Sequence, residues 1–324
     1  MKKLIIKFGI MTVAVSAMLS CKVEGELESG RSSKAVFPGD ARSGAVGFSI
    51  DNKGYIGTGL KSDNKADHDF WEYDPDNNRW KPSAAFASNR ESAVGFSIGN
   101  RGYIGTGKDG ATFYDDFWEY DPNNNRWYQK ADFPGGVRAG AVGFSIGGRG
   151  YIGTGIGVTG TCYNDFWEYD PSSDIWTQKA DFPGAAREGA VGFSIRDKGY
   201  IGTGKDYDYS YNDFWEYDPV NDEWVERRSF DGEKRSGAVG FSINGMGYIG
   251  TGRSNGEACN DFWEYDPVSS FWKKIDNFVA GGVREGAIGF GFSSDSKYKG
   301  KGYFGTGKRD DVNTSKKDFW ELTP

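Results

Sequence analysis

The sequence predicts an all-β protein, a six-bladed β-propeller with four antiparallel strands per blade. Three observations predict this fold: a unit recurs six times, each unit contains four short strand patterns, and the composition is rich in glycine and aromatic residues. Glycine supplies 49 of the 324 residues and aromatic residues make up 16%, a composition that favours strands and tight turns over helices. A regular repeat of this length is typical of propellers.

The repeat is carried by the string Gly-Tyr-Ile-Gly-Thr-Gly, which becomes Gly-Tyr-Phe-Gly-Thr-Gly in the last copy. The motif Arg-x-x-Ala-(Val/Ile)-Gly-Phe precedes each copy, and Asp-Phe-Trp-Glu follows it. All 11 tryptophans fall in two columns of the repeat, so none stands apart as a functional candidate. The repeated tyrosines are spaced by 48, 48, 49, 48 and 55 residues and are Tyr55, Tyr103, Tyr151, Tyr200, Tyr248 and Tyr303.

Each unit divides into strands a, b, c and d. In the first unit we predict strand a at 45–50, strand b at 54–58, strand c at 70–73 and the start of strand d at Trp80. The a–b and c–d connections are rich in Gly, Asn, Asp and Pro, the residues that tight turns use. Small and large residues alternate along strand a, so one side of this strand suits the crowded centre of a propeller.

The last unit stops after strand c and therefore lacks an outer strand. Residues 33–39 align with residues 129–135, which form the end of a strand d and the connection to the next unit. We expect the N-terminal segment to supply the missing outer strand and close the ring. The predicted propeller covers residues 34–324.

These motifs resemble the kelch repeat, in which apolar positions and a glycine pair are followed by Tyr and Trp at fixed spacing. One departure is that the usual Gly-Gly doublet is Gly-Thr-Gly here, as in Gly57-Thr58-Gly59. The resemblance implies a bacterial six-bladed propeller of the superfamily that includes proteins similar to galactose oxidase. Those copper oxidases need two histidine ligands, whereas this chain has a single histidine, His68. This chain therefore cannot supply those copper ligands. We expect neither a cofactor nor a metal ion.

Residues 1–20 resemble a bacterial lipoprotein signal peptide. Basic residues precede an apolar stretch from Phe8 to Leu19 that is too short to span a bilayer. Met18-Leu19-Ser20-Cys21 loosely matches a lipobox and predicts lipidation of Cys21; the alternative is an ordinary secretory signal that happens to contain a cysteine. Residues 21–33 are polar and predict a flexible tether. We expect an exported protein anchored in the bacterial cell envelope, at the outer membrane, facing the periplasm or the cell surface.

Composition also limits the partners and the chemistry. The formal net charge of -7 argues against a sequence-independent nucleic-acid binder, and the lipid anchor is the only membrane contact expected. A catalytic system with an activated serine or cysteine would depend entirely on His68, which lies in a loop predicted to be exposed. We expect a monomer that is not an enzyme, although the sequence leaves catalysis open.

One arginine precedes strand a in every unit, and strand order places these arginines with the b–c and d–a loops on one face, near the channel mouth. In one interpretation they form a rim that recognises anions, since guanidinium groups suit carboxylates. In the other they form a structural ring, each bound to carbonyls or to a carboxylate such as Glu72 or its equivalents Glu119, Glu168, Glu216, Glu264 and Glu321. The arginines are Arg42, Arg90, Arg138, Arg187, Arg235 and Arg284.

The b–c loops differ from one another, unlike the nearly uniform c–d turns. Variable loops on a rigid scaffold are the usual place for binding groups, and aromatic side chains beside carboxylates suit a sugar or a peptide. The alternative is that the loops are simply solvated. The candidate binding residues in these loops are Tyr114, Tyr163, Tyr207, Tyr209 and Tyr211.

Two functions remain open at this point. The first is a non-catalytic binding module that presents its b–c and d–a loops to a protein, a peptide or a glycan. The second is a carbohydrate-active propeller, such as an enzyme resembling the six-bladed kelch mutarotase that epimerises N-acetylneuraminate, in which the arginines would hold the sugar carboxylate. The near identity of the repeats favours the first function, because an active site should leave more asymmetric polar residues near the axis.

Overall fold

The computed structural model describes residues 30–275, 277–292, 295–309 and 314–324. They form six four-stranded antiparallel sheets whose first strands surround a central channel. The six-bladed β-propeller predicted from the sequence is confirmed. The predicted signal peptide, Cys21 and most of the predicted tether lie outside the described residues. Within those residues, no helix has the length and apolar character needed to cross a membrane.

The strands follow the predicted order within each blade. Strand a covers Val46–Ile50, Val94–Ile98, Val142–Ile146, Val191–Ile195, Val239–Ile243 and Ile288–Gly291. Strand b covers Lys53–Gly57, Arg101–Gly105, Arg149–Gly153, Lys198–Gly202, Met246–Gly250 and Gly302–Gly305. Strand c covers Phe70–Asp74, Phe117–Asp121, Phe166–Asp170, Phe214–Asp218, Phe262–Asp266 and Phe319–Leu322. Strand d covers Arg79–Pro82, Arg126–Lys130, Ile175–Lys179, Glu223–Arg227, Phe271–Ile275 and, for the sixth blade, Arg31–Ser33. Three small sheets, each of two paired two-residue strands, lie in the loops. They pair Arg42–Ser43 with Leu60–Lys61, Lys108–Asp109 with Thr112–Phe113, and Arg253–Ser254 with Glu257–Ala258.

Strand a places its small residues on the channel, as its alternating sequence predicts. Val46, Phe48 and Ile50 are buried between blades, whereas Gly47 and Ser49 are only partly buried. The narrow middle of the channel has a volume of about 150 Å³ and is lined by the Ala-Val-Gly segment of the first five blades and by Ala-Ile-Gly in the sixth. Small side chains at these positions let six strands approach one axis.

Large aromatic side chains fill the space between neighbouring blades. Phe166 on strand c of blade 3 meets Tyr217 of blade 4 edge-on at 4.9 Å between ring centroids, and Trp224 at 5.0 Å. Phe96 of blade 2 lies over Gly150 of blade 3, where an added Cβ would come within 2.6 Å of its ring. Each fully buried aromatic side chain contributes roughly 2 to 3 kcal/mol. The repeated Phe, Tyr and Trp columns are thus the cores that join the blades.

The predicted closure of the ring is also observed. Arg31–Ser33 pairs antiparallel with Phe319–Leu322 as the outer strand of blade 6, and the Lys34 amide donates to the Phe319 carbonyl at 2.8 Å. The strand begins at Arg31, so residues 31–33 of the expected tether belong to the sheet. Phe37 is fully buried beyond this strand, in the role that the alignment with residues 129–135 predicts.

Candidate functional site

The six repeated arginines lie inside the blades and do not line the channel. Each guanidinium is essentially fully buried and forms two parallel hydrogen bonds with the aspartate two residues before the Phe-Trp tryptophan. In blade 2, Arg90 Nη1 donates to Asp116 Oδ1 at 2.7 Å and Nη2 donates to Oδ2 at 2.9 Å. The same pairing occurs between Arg42 and Asp69, Arg138 and Asp165, Arg187 and Asp213, Arg235 and Asp261, and Arg284 and Asp318.

Other groups complete the surroundings of each arginine. Arg138 Nη1 also donates to the Thr154 carbonyl at 2.8 Å, and its guanidinium lies 4.8 Å from the ring centre of Phe133 and 4.2 Å from that of Tyr163. Tyr114 packs on Arg90 and Tyr211 packs on Arg187 in the same way. Three of the five candidate tyrosines therefore pack on the arginines.

The prediction that Glu72 and its equivalents bind these arginines was wrong. Glu72 lies opposite Tyr55 in the sheet and accepts a hydrogen bond from its hydroxyl at 3.0 Å. The equivalent glutamates Glu119, Glu168, Glu216, Glu264 and Glu321 accept from the equivalent tyrosines. The arginines instead take the aspartate of the Asp-Phe-Trp-Glu motif, because this residue ends the b–c loop beside them.

The buried pairing favours the ionised state of the aspartates. Burial acts to raise the pKa of Asp261, but the hydrogen bonds and charge of Arg235 outweigh it and lower the pKa below its usual range. Burial likewise acts to raise the pKa of Asp318, and Arg284 outweighs burial and lowers it. The Trp263 and Trp320 indole N–H groups add hydrogen bonds to these carboxylates at 2.8 and 2.9 Å.

The channel opens on one side between the b–c and d–a loops, which we call the loop face. A closed circle of backbone hydrogen bonds, 2.8 to 2.9 Å long, surrounds this mouth and links each blade to the next. The donors and acceptors run from Gly44 to Gly286, Gly286 to Gly237, Gly237 to Gly189, Gly189 to Gly140, Gly140 to Ser92, and Ser92 to Gly44. All six residues have φ between 54° and 64°, which explains the glycine at five of them.

Charged pairs line the loop-face mouth, whose cavity volume is about 250 Å³. They occur in alternate blades and join Glu91 to Lys108 at 3.9 Å, Glu188 to Lys205 at 3.7 Å, and Glu285 to Lys308 at 3.2 Å. Burial raises the pKa of Glu91, and the nearby lysines offset this only in part. Burial also acts on Glu285, but the hydrogen bonds from Arg253 outweigh it and lower the pKa.

The remaining candidate tyrosines, Tyr207 and Tyr209, project from the b–c loop of blade 4. They are 97% and 69% exposed. Asp206 holds the loop in shape: its carboxylate accepts the amides of Asp208 and Tyr209 at 2.8 and 2.7 Å and the Tyr211 hydroxyl at 2.5 Å. The loop thus presents two aromatic rings to solvent on an ordered backbone.

The opposite end of the channel, on the turn face formed by the a–b and c–d turns, is wider. Two adjoining cavities of about 480 and 520 Å³ share Ser194, Ser242 and Phe292 in their walls. Sequence reasoning missed this site. The signal was available in the spacing of 55 residues before Tyr303, because most of the added residues lie in the a–b connection of blade 6. Phe292, Asp295 and Lys299 of this connection line the two cavities.

Neither a metal centre nor a histidine-based catalytic site is evident in the described part of the chain. No group of three or more His, Cys, Asp or Glu side chains there could hold a metal ion. His68 is exposed and its Nδ1 contacts the Asn89 side chain. Cys162 and Cys259, in the b–c loops of blades 3 and 5, are free cysteines.

Comparison with known proteins supports the fold. A solved structure, described as the structure of YjhT, superposes with a TM-score of 0.75 at 16% sequence identity and covers 90% of this chain and 97% of that chain. No protein-family model matches the sequence, and a search of the curated proteins found no similar sequence. At this identity the likeness defines the class of protein, a six-bladed β-propeller.

Proposed function

We propose that the protein is a lipid-anchored kelch-repeat propeller of the bacterial cell envelope and that its loop face is a non-catalytic binding surface. The observation that carries this proposal is the exposure of Tyr207 and Tyr209 on a loop fixed by Asp206. Kelch identity rests on the six repeated motifs, and the envelope location rests on residues 1–21.

The arrangement of the loop face explains why binding is favoured over catalysis. The arginines that could have held a substrate carboxylate are buried against aspartates, and the glutamates at the mouth are paired with lysines. Exposed tyrosines are typical anchors of binding surfaces, because they offer a large contact area at little conformational cost. A loop that is already ordered also loses little entropy when a ligand binds.

A glycan fits this surface best. The faces of Tyr207 and Tyr209 can stack on sugar rings, and Asp208, which lies between them in the chain and is exposed, can accept hydrogen bonds from sugar hydroxyls. Lys205, the cation at the base of the loop, already lies 3.7 Å from the Glu188 carboxylate. This loop therefore favours neutral over acidic sugars.

A thermal-shift titration of the purified protein with neutral oligosaccharides, cell-wall fragments and peptides tests this function. We expect a saturable rise of the melting temperature with a glycan and its loss in the double variant Tyr207→Ser/Tyr209→Ser. The control is Tyr128→Ser, which removes a 43% exposed tyrosine from strand d of blade 2. An unchanged shift in the double variant would exclude the tyrosine surface, and a shift with peptides alone would replace the glycan by a peptide ligand. Faster mutarotation of N-acetylneuraminate, followed by NMR, would overturn the non-catalytic assignment.

A further inference from the structure

The turn-face mouth departs from the sixfold repeat, whereas most of the channel obeys it. Phe290 precedes Tyr303 by 13 positions in blade 6, but Phe241 precedes Tyr248 by only 7 in blade 5. The longer a–b connection of blade 6 borders the two adjoining cavities of about 480 and 520 Å³. An element that the fold itself requires would be expected in every blade. An element that occurs in one blade only, at the mouth of the channel, can instead recognise a ligand.

Residues 296–298 of this connection are bound to blade 1 by hydrogen bonds. Ser296 Oγ donates to Asn52 Oδ1 at 2.8 Å, and the Lys297 amide donates to the same oxygen at 3.1 Å. Tyr298 and Lys297 bind the carboxylate of Asp76 through their side chains. The wall that this segment contributes to the cavity is therefore held in place before any ligand binds.

A circle of serine hydroxyls faces the floor of the cavity. The Ser49 hydroxyl donates to the Gly291 carbonyl at 2.8 Å, but its counterparts have no hydrogen-bond partner among the described residues. These counterparts are Ser97, Ser145, Ser194 and Ser242. Hydroxyl groups can donate and accept, so this floor suits a ligand that itself carries several hydroxyl groups.

Two cations stand at the rim of the larger cavity. Arg196 and Lys299 line it together with Asn244. Neither has a direct salt bridge in the described part of the chain, and the charge of Arg196 also acts on the carboxylate of Asp266. Arg196 has φ of +54° and lies against Gly245, where an added Cβ would come within 3.4 Å of its Nε. The adjoining cavity instead carries the carboxylates Asp51 and Asp295. Because the two exposed cations line one cavity and the carboxylates line the other, the cation end favours the anionic group of a ligand.

We propose that the turn-face mouth is a second binding site, for a hydroxylated organic acid about the size of a monosaccharide. Arg196 and Lys299 bind the carboxylate, Ser194 and Ser242 bind hydroxyl groups, and Phe292 borders the ligand. Asp51, on the far side of the adjoining cavity, accepts a further hydroxyl. This proposal does not depend on the loop face, because the two sites lie at opposite ends of the channel.

Isothermal titration of the purified protein with D-glucuronate, D-glucose and inorganic phosphate tests this site. We expect saturable binding of D-glucuronate and at least roughly tenfold weaker binding of both other probes, because each lacks half of the recognised chemistry. The variant Arg196→Gln/Lys299→Gln should weaken D-glucuronate binding at least about tenfold. Arg126→Gln, which removes an exposed arginine from strand d of blade 2, is the matched control and should bind normally.

A second variant tests the position of the ligand independently of charge. Ser242→Leu fills the cavity floor and should abolish D-glucuronate binding, while the loop-face variant Tyr207→Ser/Tyr209→Ser should retain it. The proposal is overturned if D-glucuronate gives no heat, if D-glucose or phosphate binds equally well, or if Arg126→Gln loses as much affinity as the double variant. Retained binding in Ser242→Leu would also overturn it.

Discussion

Arg187 and Asp213 are joined by two parallel hydrogen bonds of 2.5 and 2.8 Å, with the guanidinium fully buried and the carboxylate side chain 23% exposed. Arg187 lies in the loop that enters blade 4, and Asp213 ends the b–c loop of the same blade. The pair therefore pins two loops of the loop face to each other. The same pair recurs in all six blades. The loop face, where we propose that a glycan binds, is therefore supported by six such pairs.

Loss of one arginine should destabilise the protein strongly. In Arg138→Met, Asp165 and the Thr154 carbonyl lose their donor inside the blade, and removing one member of a buried pair costs about 3 to 5 kcal/mol. We expect the free energy of unfolding, measured by urea denaturation, to fall by about this amount. Arg126→Gln, at an exposed position on strand d, should change it by less than about 0.5 kcal/mol. Equal stability of Arg138→Met and the unsubstituted protein would contradict a structural role for the arginines.

The aspartates of the same pairs should make the protein sensitive to acid. The pKa values of Asp261 and Asp318 lie below their ordinary range, so these groups bind protons more readily in the unfolded chain. Their contribution to stability is complete above the unfolded pKa of about 4 and is lost as the pH falls through the lower folded pKa. We expect the melting temperature to fall steeply below about pH 4. In Asp261→Asn this fall should be smaller, and an identical pH profile in the two proteins would exclude Asp261 as a source of the effect.

Glu91 and Glu285 occupy equivalent positions at the loop-face mouth, yet their pKa values shift in opposite directions. The raised pKa of Glu91 means that its ionised form is disfavoured in the folded protein. Ionised Glu91 therefore lowers the free energy of unfolding at neutral pH, and this effect disappears in acid. The lowered pKa of Glu285 means that its ionised form is stabilised, and that this stabilisation is lost in acid. At pH 7 we therefore expect Glu91→Gln to raise the free energy of unfolding and Glu285→Gln to lower it.

Urea denaturation at pH 7 and pH 3 checks both signs. At pH 3 Glu91 is protonated in the unsubstituted protein, so Glu91→Gln should then have almost no effect. A change of the same sign in both variants at pH 7 would show that the Arg253 contact to Glu285, which joins the two side chains at 2.7 Å, does not distinguish the two positions.

The sequence predicts the fold far better than the sites. Local patterns predict the strands, the closure by residues before Phe37 and the small residues facing the channel. These patterns are reliable because each one occurs in six copies. The partner of the arginines was missed because Asp69 and Glu72 lie three positions apart in one motif, and only the sheet register shows that Glu72 faces Tyr55. The turn-face cavity depends on where Phe292, Asp295 and Lys299 of one irregular segment lie, and no periodic pattern specifies that.

Ser92 is the exception in the circle of backbone hydrogen bonds, where the other five blades have glycine. Its φ of +54° is unfavourable for a residue with a side chain, at a cost of roughly 1 to 2 kcal/mol, whereas glycine adopts it freely and loses about 0.5 to 1 kcal/mol through the added freedom of the unfolded chain. We therefore expect Ser92→Gly to raise the free energy of unfolding by about 0.5 to 1 kcal/mol. The reverse substitution at the equivalent position, Gly140→Ser, should lower it by at least as much, since an added Cβ there would lie 3.3 Å from the Glu188 Cβ. Urea denaturation of the two variants tests the argument. If Ser92→Gly is destabilising, the Ser92 side chain supports the circle through a contact that outweighs the backbone strain.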